Sequence, residues 1–95
     1  MYVLVRCDLS SSYRSVQGGH ALAEFLLNRS DEHSWDNGTL IYLGVKDEDE
    51  LHQWSDKLRV KNIKYSVFRE PDIGNQLNAI ATVADDKHFK KLRLA

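Results

Sequence analysis

Cysteine and proline each occur once in the 95 residues, and no long apolar run interrupts the chain. A single cysteine, Cys7, cannot close an internal disulfide, which excludes the stapled scaffolds of small secreted domains. It stands in an alternating apolar run, where it is expected to fill core space rather than act as a nucleophile. No stretch reaches the length needed to span a bilayer, and the opening residues MYVLVRCD lack the basic flank and apolar core of a signal peptide. The expectation is a cytoplasmic protein without a membrane partner. Charge of one sign is also lacking: the net charge is −1, which argues against indiscriminate phosphate binding. The two halves differ, because residues 1–50 carry four Lys or Arg against nine Asp or Glu, and residues 51–95 carry nine against five. A basic face in the second half is therefore open. Repeats, low-complexity tracts and linkers are absent, so residues 1–95 are expected to form one small domain.

What is present alternates in period. YVLVRCD (2–8) reads as a strand, and LSSSYRSVQGGHALAEFLLNRS reads as a helix capped by Ser10, Ser11 or Ser12 and ending at Arg29. Val16, His20, Ala23 and Leu27 follow one face of that helix, which is expected to be the buried one. A polar loop with Trp35 follows over 31–37, then a nearly continuous apolar strand, GTLIYLGV (38–45). Together the three elements suggest a parallel β-α-β unit. DEDELHQWSDKLRVKN opens with Asp47 and Glu50 at capping-box spacing and places Leu51, Trp54 and Leu58 on one helical face. IKYSVFRE (63–70) and QLNAIATVA (76–84) are strands joined by PDIGN, a turn sequence that predicts an antiparallel pair. KHFKKLRLA reads as a short basic helix or tail. The predicted architecture is an α/β domain of order β-α-β-α-β-β: a four-stranded mixed sheet with helices on both faces and the first strand inside the sheet.

Gly18 and Gly19 are out of place inside a helix, since each costs about 1 kcal/mol relative to alanine. Either they allow close packing on a strand, or they leave backbone open for a ligand near the amino end of the helix. His20 follows directly, and Gln17, three positions earlier, lies on a neighbouring part of the same surface. Gln17 could orient a substrate carbonyl or a water.

The segments VLVRCDL (3–9), VQGGHA (16–21), GTLIYLGV, KDEDEL (46–51) and FREPDIGNQLNAIA (68–81) follow one another in an order that resembles the type II peptidyl-tRNA hydrolases. The resemblance covers nearly the whole chain. It implies a β-α-β-α-β-β domain that binds tRNA or peptidyl-tRNA and hydrolyses the ester between the peptide and the terminal ribose, in translation. It implies no metal and no organic cofactor, and it leaves a homodimer open. Such a reaction needs an oriented water, donors for the oxyanion and positive charge near phosphates. By position, the resemblance assigns catalytic roles to Gln17, His20, Asp72 and Asn78, with Asp72 orienting or deprotonating the water. Arg14, Tyr13, Gln76, Lys90 and Lys91 are the expected substrate or RNA contacts.

Two positions depart from the family. Tyr13 stands four residues before Gln17, where the family has a lysine treated as essential, and Asn78 stands where it has a threonine. Arg14 is the nearest cation; it can bind phosphate but cannot exchange a proton as a lysine does. The alternative reading is accordingly a non-catalytic relative that serves as an RNA- or protein-binding module.

Other patterns carry less. His33, His52 and His88 show no metal-ligand spacing, and no Gly-x-Ser-x-Gly elbow supports Ser12 or Ser15 as a nucleophile. DEDE (47–50) reads as a solvated helix start, Trp54 as core, and Trp35 as a cover over the edge of the core.

Overall fold

A computed structural model describes residues 1–29 and 35–95. Most of the expected polar loop, with His33, lies outside the described residues. The elements are β1 (Tyr2–Arg6), α1 (Ser11–Arg29), β2 (Ile41–Val45), α2 (Glu48–Val60), β3 (Tyr65–Glu70), β4 (Gln76–Thr82) and β5 (Arg93–Leu94), with short 3-10 turns at Pro71–Ile73 and Asp86–Phe89. No helix among the described residues is long and apolar enough to cross a membrane.

The expected α/β domain with a mixed sheet and two helices is present, but the described strands number five and not four. They lie in the order β3-β4-β1-β2-β5. The extra strand comes from the segment read as a basic helix or tail. After a 3-10 turn, Arg93 and Leu94 pair with Gly44 and Leu43 of β2, and the element order becomes β-α-β-α-β-β-β. Two residues are too few for a periodic signal, and only the open edge of β2 makes them a strand. β1 lies inside the sheet, parallel to β2 and antiparallel to β4, and β3 pairs antiparallel with β4.

The alternation of β1 separates two cores. Leu4 joins Leu43, Leu77, Ile80, Phe89 and the α2 residues Leu51 and Leu58. Val3 and Val5 join Ala79, Ala81 and the α1 residues Ala21 and Phe25. Trp35 packs against the second cluster, its indole donating to the Thr39 carbonyl (2.6 Å), as a cover should. Trp54 packs against the first.

Each helix start has its cap. Ser10 Oγ accepts from the Tyr13 amide (3.3 Å), and Asp47 Oδ1 accepts from the Glu50 amide (3.0 Å). The reciprocal arm of the second cap is displaced by one residue, since Glu50 Oε2 accepts from Lys46 N rather than from Asp47.

Two expectations for buried side chains are corrected. The face of α1 turned to the sheet carries Gln17, Gly18, Ala21 and Phe25, and not Val16, His20, Ala23 and Leu27; Val16 is 54% and Leu27 79% exposed. The apolar stripe lost because hydropathy scores glutamine and glycine as outward, whereas here the glutamine is hydrogen-bonded inside and the glycine permits contact. A Cβ on Gly18 would collide with the ring of Tyr42 on β2, so this glycine serves close packing. Gly19 faces open space, and nothing in the structure explains it. Cys7 is exposed and not core, because β1 ends at Arg6 and the chain leaves the sheet there.

Candidate functional site

A bulge in β4 organises one end of the molecule. Phe68 pairs with Ala79 and Arg69 with Leu77, so Asn78 is the extra residue between them. A bulge shifts the alternation of the strand, which lets Leu77 and Ile80 share one core although they are three residues apart. The Leu77 amide is taken by Glu48 Oε2 from the first turn of α2 (2.9 Å). That bond, with a smaller contribution from His52, holds the Glu48 carboxyl below the usual carboxylate range.

Asn78 is fully buried, Gln17 is 1% exposed and Arg6 8%. Burial on this scale obliges each polar group to find a partner. Arg6 lies one residue past the Val5–Ala79 pair, at the carboxyl end of β1. Its Nε and Nη2 grip the two Asp8 oxygens (3.0 and 2.8 Å), while Nη1 donates to Gln76 Oε1 and to Asn78 Oδ1 (both 2.9 Å). Asn78 Nδ2 donates to Gln17 Oε1 (3.3 Å), and Gln17 Nε2 donates to Glu70 Oε2 (3.1 Å). Tyr13 Oη makes a long contact to the same oxygen (3.5 Å), and the Asp72 amide donates weakly to Glu70 Oε1 (3.4 Å).

The direction of this chain of bonds is fixed by its ends. An arginine only donates and a carboxylate only accepts, so both intervening amides must present oxygen towards Arg6 and nitrogen towards Glu70. The charges respond accordingly. Hydrogen bonds from Arg6 hold the Asp8 carboxyl below its ordinary value. Partial desolvation, and then the nearby charge of Glu70, push the Tyr13 phenol up.

Five parts of the chain meet here: the end of β1, the first turns of α1, the start of α2, the end of β3 and the start of β4. All lie at the carboxyl end of the parallel pair β1 and β2, the edge where open α/β sheets place ligand sites. The hairpin turn keeps Asp72 exposed above this edge; it starts with Pro71 and closes through Gly74 (φ 71°) and Asn75 (φ 61°), left-handed positions suited to Gly and Asn.

Of the expected catalytic residues, Gln17 and Asn78 are thus in direct contact, 61 positions apart in sequence. Asp72 adjoins them through its amide on Glu70, and its carboxylate has no hydrogen-bond partner among the described residues. His20 is exposed one turn further along α1, its ring stacked on Phe68 (4.2 Å between centroids, 10° between planes). Among the expected substrate contacts, Gln76 binds Arg6 and Tyr13 reaches Glu70. Arg14 is occupied by the Leu9 and Cys7 carbonyls (2.8 and 3.1 Å). It lines a separate cavity of about 170 Å³ with Ser11, Ser15, Tyr42 and Ala95. Lys90 and Lys91 are exposed just before β5, at the sheet edge opposite β3. No group of three or more His, Cys, Asp or Glu among the described residues is placed to hold a metal ion.

Three members of the network were not among the expected residues: Arg6, Asp8 and Glu70. Arg6 carried a signal, since a cation inside the apolar run YVLVR needs a buried partner. Glu70 carried none beyond its place before Pro71. In comparison with known proteins, the chain matches no family model and no curated protein.

Proposed function

We propose that this protein is an ester hydrolase of the peptidyl-tRNA hydrolase type, releasing a peptide from the terminal ribose of tRNA. The observation that supports this most is the meeting of Gln17, Asn78 and the Glu70–Asp72 turn at one end of the sheet, joined by hydrogen bonds. These are the segments on which the sequence resemblance rests. Chemically, the edge offers two neighbouring carboxylates, one oriented and one exposed, that can hold and activate a water. In this reading Asp72 meets the water from the solvent side, and Gln17 and Asn78 keep the carboxylate turn in register. His20, Tyr13 and Gln76 border the substrate, and Arg14, Lys90 and Lys91 meet tRNA phosphates.

A second reading, a non-catalytic RNA- or protein-binding module, is favoured by one observation. Arg6, Arg14 and Arg69, the cations at this edge, are engaged with Asp8 and with backbone carbonyls.

Incubation of the purified chain with peptidyl-tRNA separates the two readings. Hydrolase action releases free peptide, and Asp72→Ala slows the release several-fold while tRNA binding persists. Binding of tRNA without any release by the unaltered chain would leave only the binding module.

A further inference from the structure

We infer that Glu70, rather than Asp72, takes the proton from the attacking water; the inference rests on the hydrolase reading above. Both carboxylates sit on the same turn, but only one is built in. Glu70 Oε2 receives Gln17 Nε2 and the long contact from Tyr13, while Oε1 receives the Asp72 amide. Gln17 is itself held by Asn78, and Asn78 by Arg6, so the oriented amides terminate on this carboxylate and fix where its oxygens lie. Glu70 is half-buried, which leaves it open to a water. A carboxylate has about four lone-pair positions. Gln17 occupies one firmly, Tyr13 and the Asp72 amide approach two more at longer range, and a position remains for the water. Asp72 is exposed and its carboxylate has no hydrogen-bond partner among the described residues, so no side chain described there orients it. A base held in place before substrate arrives does not lose that freedom in the transition state, and this advantage belongs to Glu70 alone.

The reaction then runs in two proton transfers. Glu70 accepts a proton from water as the water oxygen bonds to the ester carbonyl carbon. The tetrahedral intermediate collapses, the bond from that carbon to the ribose oxygen breaks, and Glu70 returns the proton to the leaving ribose oxygen. Water has been added across the ester, and Glu70 ends as the carboxylate it began as. Arg6, Asn78 and Gln17 touch no reacting atom and are positioning residues.

The test compares steady-state peptidyl-tRNA hydrolysis by the wild type, Glu70→Gln and Asp72→Asn, with folding checked by thermal unfolding. Glu70→Gln keeps the shape and, with its oxygen towards Gln17, the bond from Gln17 Nε2; it gives up the weak bond from the Asp72 amide and cannot accept the proton. The expected result is a loss of about 100-fold or more in kcat with KM changed less than about threefold, as for removal of a general base. Asp72→Asn is expected to lose less than about tenfold, the smaller effect of an orienting group. Added formate should restore part of the rate of Glu70→Ala, a rescue that a merely structural glutamate would not show. Should Glu70→Gln fail to fold, Glu70→Asp is measured in its place; it keeps the base one methylene back, and its expected result is reduced kcat with unchanged KM. An active wild type whose Glu70→Gln variant turns over within about threefold of it would overturn this inference alone. So would the larger loss falling on Asp72→Asn. An inactive wild type would instead overturn the hydrolase reading beneath it.

Discussion

The two faces of the sheet hold their helices by different means. On the α2 face, Leu51 and Leu58 close over Leu4, Leu43 and Ile80, and the polar groups of the helix start are satisfied within the cap and the bulge. On the α1 face, Ala21 and Phe25 pack on Val3, Val5, Ala79 and Ala81, and the amino-terminal half is tied to the sheet through Gln17. Apolar packing is non-directional and tolerates small shifts of a helix along a sheet, whereas a directed string of hydrogen bonds does not. Both faces supply apolar packing, and the α1 face adds position, at the end where the candidate site lies.

Truncating each dock should expose that difference. Leu58→Ala removes a side chain that is 1% exposed, and is expected to cost about 2–5 kcal/mol in urea unfolding. Gln17→Leu fills the same space without hydrogen bonds and leaves the Asn78 amide short of a partner; its expected cost is about 1–3 kcal/mol. Removing both amides together, as Gln17→Leu with Asn78→Leu, should cost less than the sum of the two single changes, because the second unpaired group disappears with the first. An additive pair would mean that the two amides do not act as one unit.

The adjacent glycines sharpen the comparison at a smaller scale. Gly18→Ala drives a methyl into Tyr42, and should destabilise by about 1–3 kcal/mol unless the ring moves aside. Gly19→Ala meets open space and should stabilise by up to about 1 kcal/mol, the helix-propensity difference. Thermal unfolding of the two variants gives the signs directly. Equal signs would show that the contact with Tyr42 does not set the approach of α1.

What could be read from the sequence divides along the same line. The α2 dock was legible in its main parts, the Asp47 cap from residue spacing and the Leu51 and Leu58 stripe from hydropathy, but the bond from the Leu77 amide to Glu48 and the place of Phe89 in this core were not. The α1 dock was misread by one residue, because its packing face contains a glutamine and a glycine, while Val16 and Leu27 are apolar and exposed. Periodicity reports which side chains avoid water, and a buried amide held by two partners escapes it. The meeting of Gln17 with Asn78 was legible only through the resemblance that marked both. Arg6 and Glu70 have meaning only as the ends of a string that needs the β4 bulge, and a single extra residue in a strand leaves no periodic trace. β5 was hidden for a related reason, since two residues acquire strand geometry only from their neighbour.

The most direct test of the link between this dock and the chemistry is the rate of peptide release from peptidyl-tRNA by the Gln17→Leu variant beside the wild type, measured well below both unfolding transitions. The expected result is release by the wild type and a loss of about tenfold or more in the variant with tRNA affinity retained, since the substitution leaves the carboxylates in place but unpositioned. Equal release by the two proteins would contradict the placement of the site at the α1 dock.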